Sequence, residues 1–148
     1  MITRWRLAAG LGVLCGCSAV AAQAVDGWIG RWRSYSDYAF QHLGDLSIRP
    51  GAFVFAKAGT LKVETKEGYY RVIGVVARRA GGFADVCGDA PPRSAALVAV
   101  HAPEKDMLRI NFYDTTTGPG PNPDFDPHRC GYVVYTKGAA STPAPPKH

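Results

Sequence analysis

Leu108-Arg109-Ile110-Asn111-Phe112-Tyr113 sets Leu108, Ile110 and Phe112 in alternation with Arg109, Asn111 and Tyr113. A period of two belongs to extended backbone, where successive side chains point to opposite faces, one toward a core and one toward solvent. The same period continues outward from this stretch. Leu46 and Ile48 alternate with Ser47 and Arg49, and Leu61 and Val63 alternate with Lys62 and Glu64. Segments 52–56, 69–78, 95–101 and 131–136 are rich in Val, Ile, Phe and Tyr and end at Gly or Pro, which marks them as further strands. Turns are expected at Pro50-Gly51, Ala58-Gly59, Glu67-Gly68 and Gly81-Gly82, so that successive strands form antiparallel hairpins. Seven or eight such strands make an all-β, up-and-down sheet that must close or fold over to hide its edges. The expected fold is a small antiparallel β-barrel, or a β-sandwich, with one disulfide.

Upstream of these strands two periods compete. Trp28, Ile29, Trp32, Tyr35, Ala39 and Leu43 fall at helical spacing, with Asp26 as an N-cap and Gly44 as a stop. Gly30-Arg31-Trp32-Arg33-Ser34 also fits a first strand with Trp32 facing the core. The expectation is a strand to about Tyr35, followed by a turn or short helix through Leu43.

Residues 1–24 fit an export signal. Arg4 and Arg6 form a basic head, residues 7–20 an apolar run, and Ala22-Gln23-Ala24 a small-x-small cleavage pattern. The run is about 14 residues long against about 20 for a bilayer core, so no integral membrane span is expected. Leu14-Cys15-Gly16-Cys17 resembles a lipoprotein box, which keeps open a second route, a lipid anchor at Cys17. The expected location is periplasmic or secreted, with a membrane-anchored lipoprotein as the alternative.

Cutting after Ala24 removes Cys15 and Cys17 and leaves Cys87 and Cys130 as a structural disulfide in an oxidising compartment. The loop it closes spans roughly 43 residues, which in the chain-entropy model destabilises the unfolded state by ~4 kcal/mol. The formal charge of the whole chain is +5, the longest basic run is Arg78-Arg79, and nucleic acid is not an expected partner. Residues 25–137 are expected to form one barrel domain. Residues 138–148, which lack bulky apolar side chains, are expected to be a disordered tail rich in Pro and Ala.

Gly30-Arg31-Trp32 resembles the Gly-x-Trp start of lipocalin-like barrels, and the strand meander that follows is compatible with them. The resemblance implies that Trp32 plugs the closed end of the barrel and that Gly30 permits tight packing beneath it. Lipocalins often tie a late segment back to the barrel by a disulfide, which Cys87–Cys130 parallels. Other exported small barrels, including bacterial protease and lysozyme inhibitors, look similar at this level, and fold alone does not assign function.

The long connection 115–129 carries the densest polar chemistry. Gly118-Pro119-Gly120-Pro121-Asn122-Pro123 makes it irregular and stiff, since each proline fixes its own φ. Asp124, Asp126 and His128 could hold a divalent cation through oxygen and nitrogen donors, or the aspartates could cap local amides instead. No metal or other cofactor is expected, because the calcium-loop glycine and terminal Glu are missing. His42 and His101 join such a site only if the fold brings them to His128. Lys62, Arg71, Arg78 and Arg79 could share a basic outer sheet face.

No Gly-x-Ser-x-Gly elbow, His-Glu-x-x-His helix or phosphate-cradling loop occurs, so an enzyme is not expected. The expected function is an exported, lipocalin-like domain binding a small apolar ligand, with Trp28, Trp32 and Tyr35 shaping the site. The alternative is an inhibitor or interaction protein engaging a periplasmic or extracellular protein through Pro119, Asn122, Phe125, Arg78 and Arg79. A hydrolytic or metal-dependent enzyme ranks behind both.

Overall fold

Alternating apolar residues become eight strands. They are β1 (Gly30–Ser34), β2 (Leu46–Arg49), β3 (Ala52–Phe55), β4 (Gly59–Lys66), β5 (Tyr69–Ala77), β6 (Ser94–Ala102), β7 (Lys105–Tyr113) and β8 (Arg129–Thr136). The computed structural model describes residues 27–102 and 105–137. The expected export signal at 1–24, the alternative lipid anchor at Cys17 and the expected tail 138–148 lie outside the described residues. Each strand pairs antiparallel with the next, and β8 returns to β1, closing the barrel. Both periods expected upstream of β2 occur, one after the other: β1 as a strand, then one wide helical turn at Ala39–Leu43 that ends at Gly44.

Register follows from burial. Leu46, Ile48, Phe53, Phe55, Leu61 and Val63 face inward from β2–β4, while their neighbours Ser47, Arg49, Val54 and Lys62 face outward. Leu108, Ile110 and Phe112 are inward on β7, as the alternation requires. Segments that are not strands also enter the core: Ala39 and Leu43 from the helical turn, Ala58 from the β3–β4 connection, and Phe83 and Val86 from the connection 78–93. Phe55 meets Phe83 edge-on at 5.5 Å between ring centroids and lies 6.5 Å from Phe112 and 6.4 Å from Tyr135. The Tyr135 hydroxyl donates to the Gly44 carbonyl at 3.2 Å, and burial pushes its pKa well above the usual phenol range. Aromatic and aliphatic side chains from the strands and from these segments thus line and pack within the barrel interior.

The wall is uneven. The β4–β5, β6–β7 and β7–β8 ladders are long, whereas β5 meets β6 only at Tyr70↔Ala95 and Arg71↔Ser94. Gly81-Gly82 is not a hairpin turn; it belongs to the connection 78–93, which carries Phe83 into the core before the chain reaches β6. Cys87 in that connection is bonded to Cys130 at the start of β8, with 4.8 Å between Cα atoms. The disulfide thus fastens the segment between the two weakly joined strands to the strand that follows the Pro-rich loop. Among the described residues no helix is long and apolar enough to cross a membrane.

Candidate functional site

The segment between β7 and β8 is a folded strap rather than a slack loop. Its base closes where the Asp114 amide donates to the His128 carbonyl at 3.0 Å. Next, the Ser94 hydroxyl of β6 donates to the Thr115 carbonyl at 2.6 Å. Gly118 then lies buried against the face of Tyr69, at φ 71°. A Cβ at that position would enter the tyrosine ring, so both the conformation and the contact require glycine.

Asp126 organises the far half. Its carboxylate accepts from the Gly120 amide and, at 2.8 Å, from the His128 amide. These two backbone donors hold its pKa below the usual carboxylate range, since they favour the charged form. Asp124, two residues earlier, pairs with Arg109 of β7 and lies 3.6 Å from Arg129 of β8. Both guanidinium groups sit over the Tyr132 ring, at 6.0 Å for Arg109 and 5.5 Å for Arg129. Between Asp124 and Asp126, Phe125 projects outward with 84% of its surface exposed. The strap therefore presents an aromatic ring beside an arginine–tyrosine cluster that its own aspartate assembles.

Beneath the strap lies a polar layer. Asn111 and Tyr113, on the outer face of β7, are fully buried. Burial raises the Tyr113 pKa, and the nearby Asn111 amide opposes that shift; even so, neither side chain makes a hydrogen bond of good geometry. Buried polar groups of this kind are the usual seats of ordered water.

The three metal-ligand candidates turn to different partners. Asp124 goes to the arginines, Asp126 caps amides, and the His128 ring lies 2.9 Å from Asp114. Among the described residues no cluster of three or more His, Cys, Asp or Glu could hold an ion. His42 is elsewhere, stacked on Tyr38 at 4.7 Å in the helical turn. The His101 side chain lies outside the described residues.

The aromatic ligand candidates also face different ways. Trp32 is buried in the core, and its indole N–H donates to the Trp28 carbonyl at 2.9 Å. Trp28 packs on it at 5.8 Å, whereas Tyr35 stands out in solvent. Only Trp32 lines the groove of about 530 Å³ on the outer face of β1–β3, together with Arg31, Arg33, Ser47, Val54 and Arg78. Gly30 adopts φ 133° with nothing within 4 Å of a notional Cβ, so backbone conformation, not close packing, accounts for glycine there.

Arg78 and Arg79 do not join the strap. They follow the last residue of β5 and donate to the carbonyls of Ala56 and His42, both at 3.1 Å. The strap touches β5 at its first residue, Tyr69, about 26 Å away along a nine-residue strand. The sequence suggests one contact surface for Pro119, Asn122, Phe125 and these arginines; the structure puts the strap and the arginines at opposite ends of β5. Instead Arg109, Arg129 and Tyr132 accompany Phe125. Their outward direction follows from strand alternation, but their proximity depends on the β7–β8 register.

Comparison with known proteins finds no matching family model, no matching curated protein and no matching solved structure.

Proposed function

We propose that this chain is an exported, non-catalytic binding domain that engages a protein partner through the strap 114–128 and the arginine–tyrosine patch beside it. The observation that carries the proposal is Phe125: an aromatic ring left 84% exposed on a segment braced on both sides by aspartates. Leaving such a ring in water is unfavourable, and ordering the strap that holds it has an entropic cost. A partner that covers it recovers the apolar term without a further ordering cost, because the strap is already in place. Aromatic and arginine side chains are also the types that dominate binding energy at protein interfaces.

A small apolar ligand fits less well, since aromatic rings occupy the barrel interior. Export is supported by the signal-like segment 1–24 and by the Cys87–Cys130 bond, which persists in oxidising compartments. An inhibitor of an exported hydrolase is the kind of protein this describes: a rigid barrel offering one stiff projecting segment.

The test is photocross-linking. Benzoylphenylalanine is placed at position 125 and, in a separate protein, at position 40, where Phe40 is another exposed ring on the helical turn. Cross-linking in extract of the exported fraction should give a discrete adduct from position 125, competed away by unlabelled protein, and none from position 40. Equal labelling from both positions, or labelling that excess protein does not compete, rejects the proposal.

A further inference from the structure

Among the described residues, one edge of β5 is unfilled along much of its length. Beyond Arg71 it has no β6 partner, while its other edge stays paired with β4 as far as Gly59↔Ala77. The Arg78 amide donates to the Ala58 carbonyl and the Val72 amide to the Arg93 carbonyl. By the alternation of an antiparallel ladder, the peptide groups of Val75 and Ala77 then face away from β4. Along this stretch Ile73 is 61% exposed, Val75 39% and Val76 54%. Val75 lies opposite the fully buried Leu61, so its exposure arises because β6 has diverged from it.

Charge decides what can lie there. Arg71 stands at one end of the free stretch and Arg78 and Arg79 at the other, all three exposed. Arg78 and Arg79 donate to neutral carbonyls, and among the described residues no carboxylate forms a salt bridge with any of the three. A second copy of β5 is therefore a poor occupant. Antiparallel pairing across Ile73 to Ala77 sets Arg71 of one copy beside Arg78 or Arg79 of the other, and parallel pairing sets each arginine beside itself. Like charges in opposed positions are destabilising. Of residues 1–26 and 138–148, only Asp26 is acidic, against these three arginines.

The geometry points to a peptide-binding edge: β5 accepts, by strand addition, an extended segment of a partner whose short apolar core has carboxylates on both sides. Main-chain hydrogen bonds to Val75 and Ala77 supply the pairing, and the terminal arginines select the flanks. This surface is separate from the strap and does not depend on the role of Phe125.

The probe is a labelled peptide, acetyl-Glu-Asp-Val-Thr-Val-Thr-Val-Asp-Glu-amide, titrated into the full chain by fluorescence anisotropy. Controls are the same core flanked by lysines and the acidic peptide N-methylated at alternate valines. The acidic peptide should bind at least about tenfold more tightly than either control and weaken as salt rises. Arg71→Glu combined with Arg78→Glu, both at exposed positions, should reverse the preference toward the lysine-flanked peptide. Val75→Pro should abolish binding, because it removes an edge donor from the side that β4 does not use. Phe125→Ala should bind the peptide as wild type does. Equal affinity for acidic and basic flanks, no binding of the acidic peptide, or no change in the double arginine variant overturns the assignment. So does loss of binding in Phe125→Ala, which would move the peptide to the strap. Concentration-dependent self-association in sedimentation, lost on Val75→Pro, would give the edge to a second copy and also overturn it.

Discussion

Gly118→Ala should unseat the strap while leaving the barrel intact. Gly118 holds φ 71°, and an alanine forced into that region costs about 1–2 kcal/mol. Its Cβ would also enter the Tyr69 ring, so the ring or the strap must move and their contact is lost. Together these effects amount to about 2–3 kcal/mol, charged to the local seating of the strap because Gly118 lies outside the strand ladders. The assay is native-state amide exchange at Gly120 and His128, whose N–H groups are held by Asp126. Their exchange should quicken about 30- to 150-fold, the equivalent of that free energy, while the amide of Ile110 in β7 keeps its wild-type protection. The overlap can be isolated. In a Tyr69→Ala background the same glycine substitution should cost only the backbone part, leaving a coupling of about 1 kcal/mol between the two positions. Wild-type exchange at Gly120 and His128 in Gly118→Ala, or zero coupling with Tyr69, would refute the description of the strap as a seated element.

Other perturbations test the frame around it. Replacing Cys87 and Cys130 together by Ala opens a link with a sequence separation of 43, and the chain-entropy relation gives a loss of about 4 kcal/mol, measurable as a lowered urea midpoint; a loss below about 1 kcal/mol would mean that the bond does not constrain the unfolded chain as supposed. Phe55→Ala should cost about 3–5 kcal/mol by the same measurement, because the fully buried ring packs with Phe83, Phe112 and Tyr135; a near-neutral result would indicate a hollow barrel. The lowered pKa of Asp126 makes its contribution complete above its unfolded value of about 3.9, and it is lost as pH falls through the lower folded value. Protection of Gly120 from exchange, corrected for intrinsic rate, should therefore be flat from about pH 7 to about pH 5 and fall only in stronger acid; a midpoint near neutrality would refute the role given to Asp126.

The strands were legible because their physics is local. Each inward residue of Leu108-Arg109-Ile110-Asn111-Phe112-Tyr113 announces itself by alternation, and every segment so identified is a strand of the barrel. The disulfide was legible from elimination among four cysteines, and it is formed. The uneven wall was not. Nothing in the 69–78 segment distinguishes a strand paired on both edges from one that loses its partner after Arg71, because pairing depends on a distant strand, β6, that the connection 78–93 delivers. The site was half legible. Phe125 and the stiff prolines stand out in the sequence, whereas the company they keep is set by a cross-strand register linking Arg109 to Val134 and Asn111 to Tyr132. Arg78 and Arg79 drew attention as a basic pair, yet β5 carries them to its other end. The Gly-x-Trp resemblance implies a packing role for Gly30, which instead serves the backbone.

The most direct measurement is the dissociation constant for the protein captured through position 125, compared among wild type, Phe125→Ala and Phe40→Ala. Binding through the strap predicts a weakening of about tenfold or more for Phe125→Ala, with Phe40→Ala unchanged. Equal affinity for wild type and Phe125→Ala would contradict it.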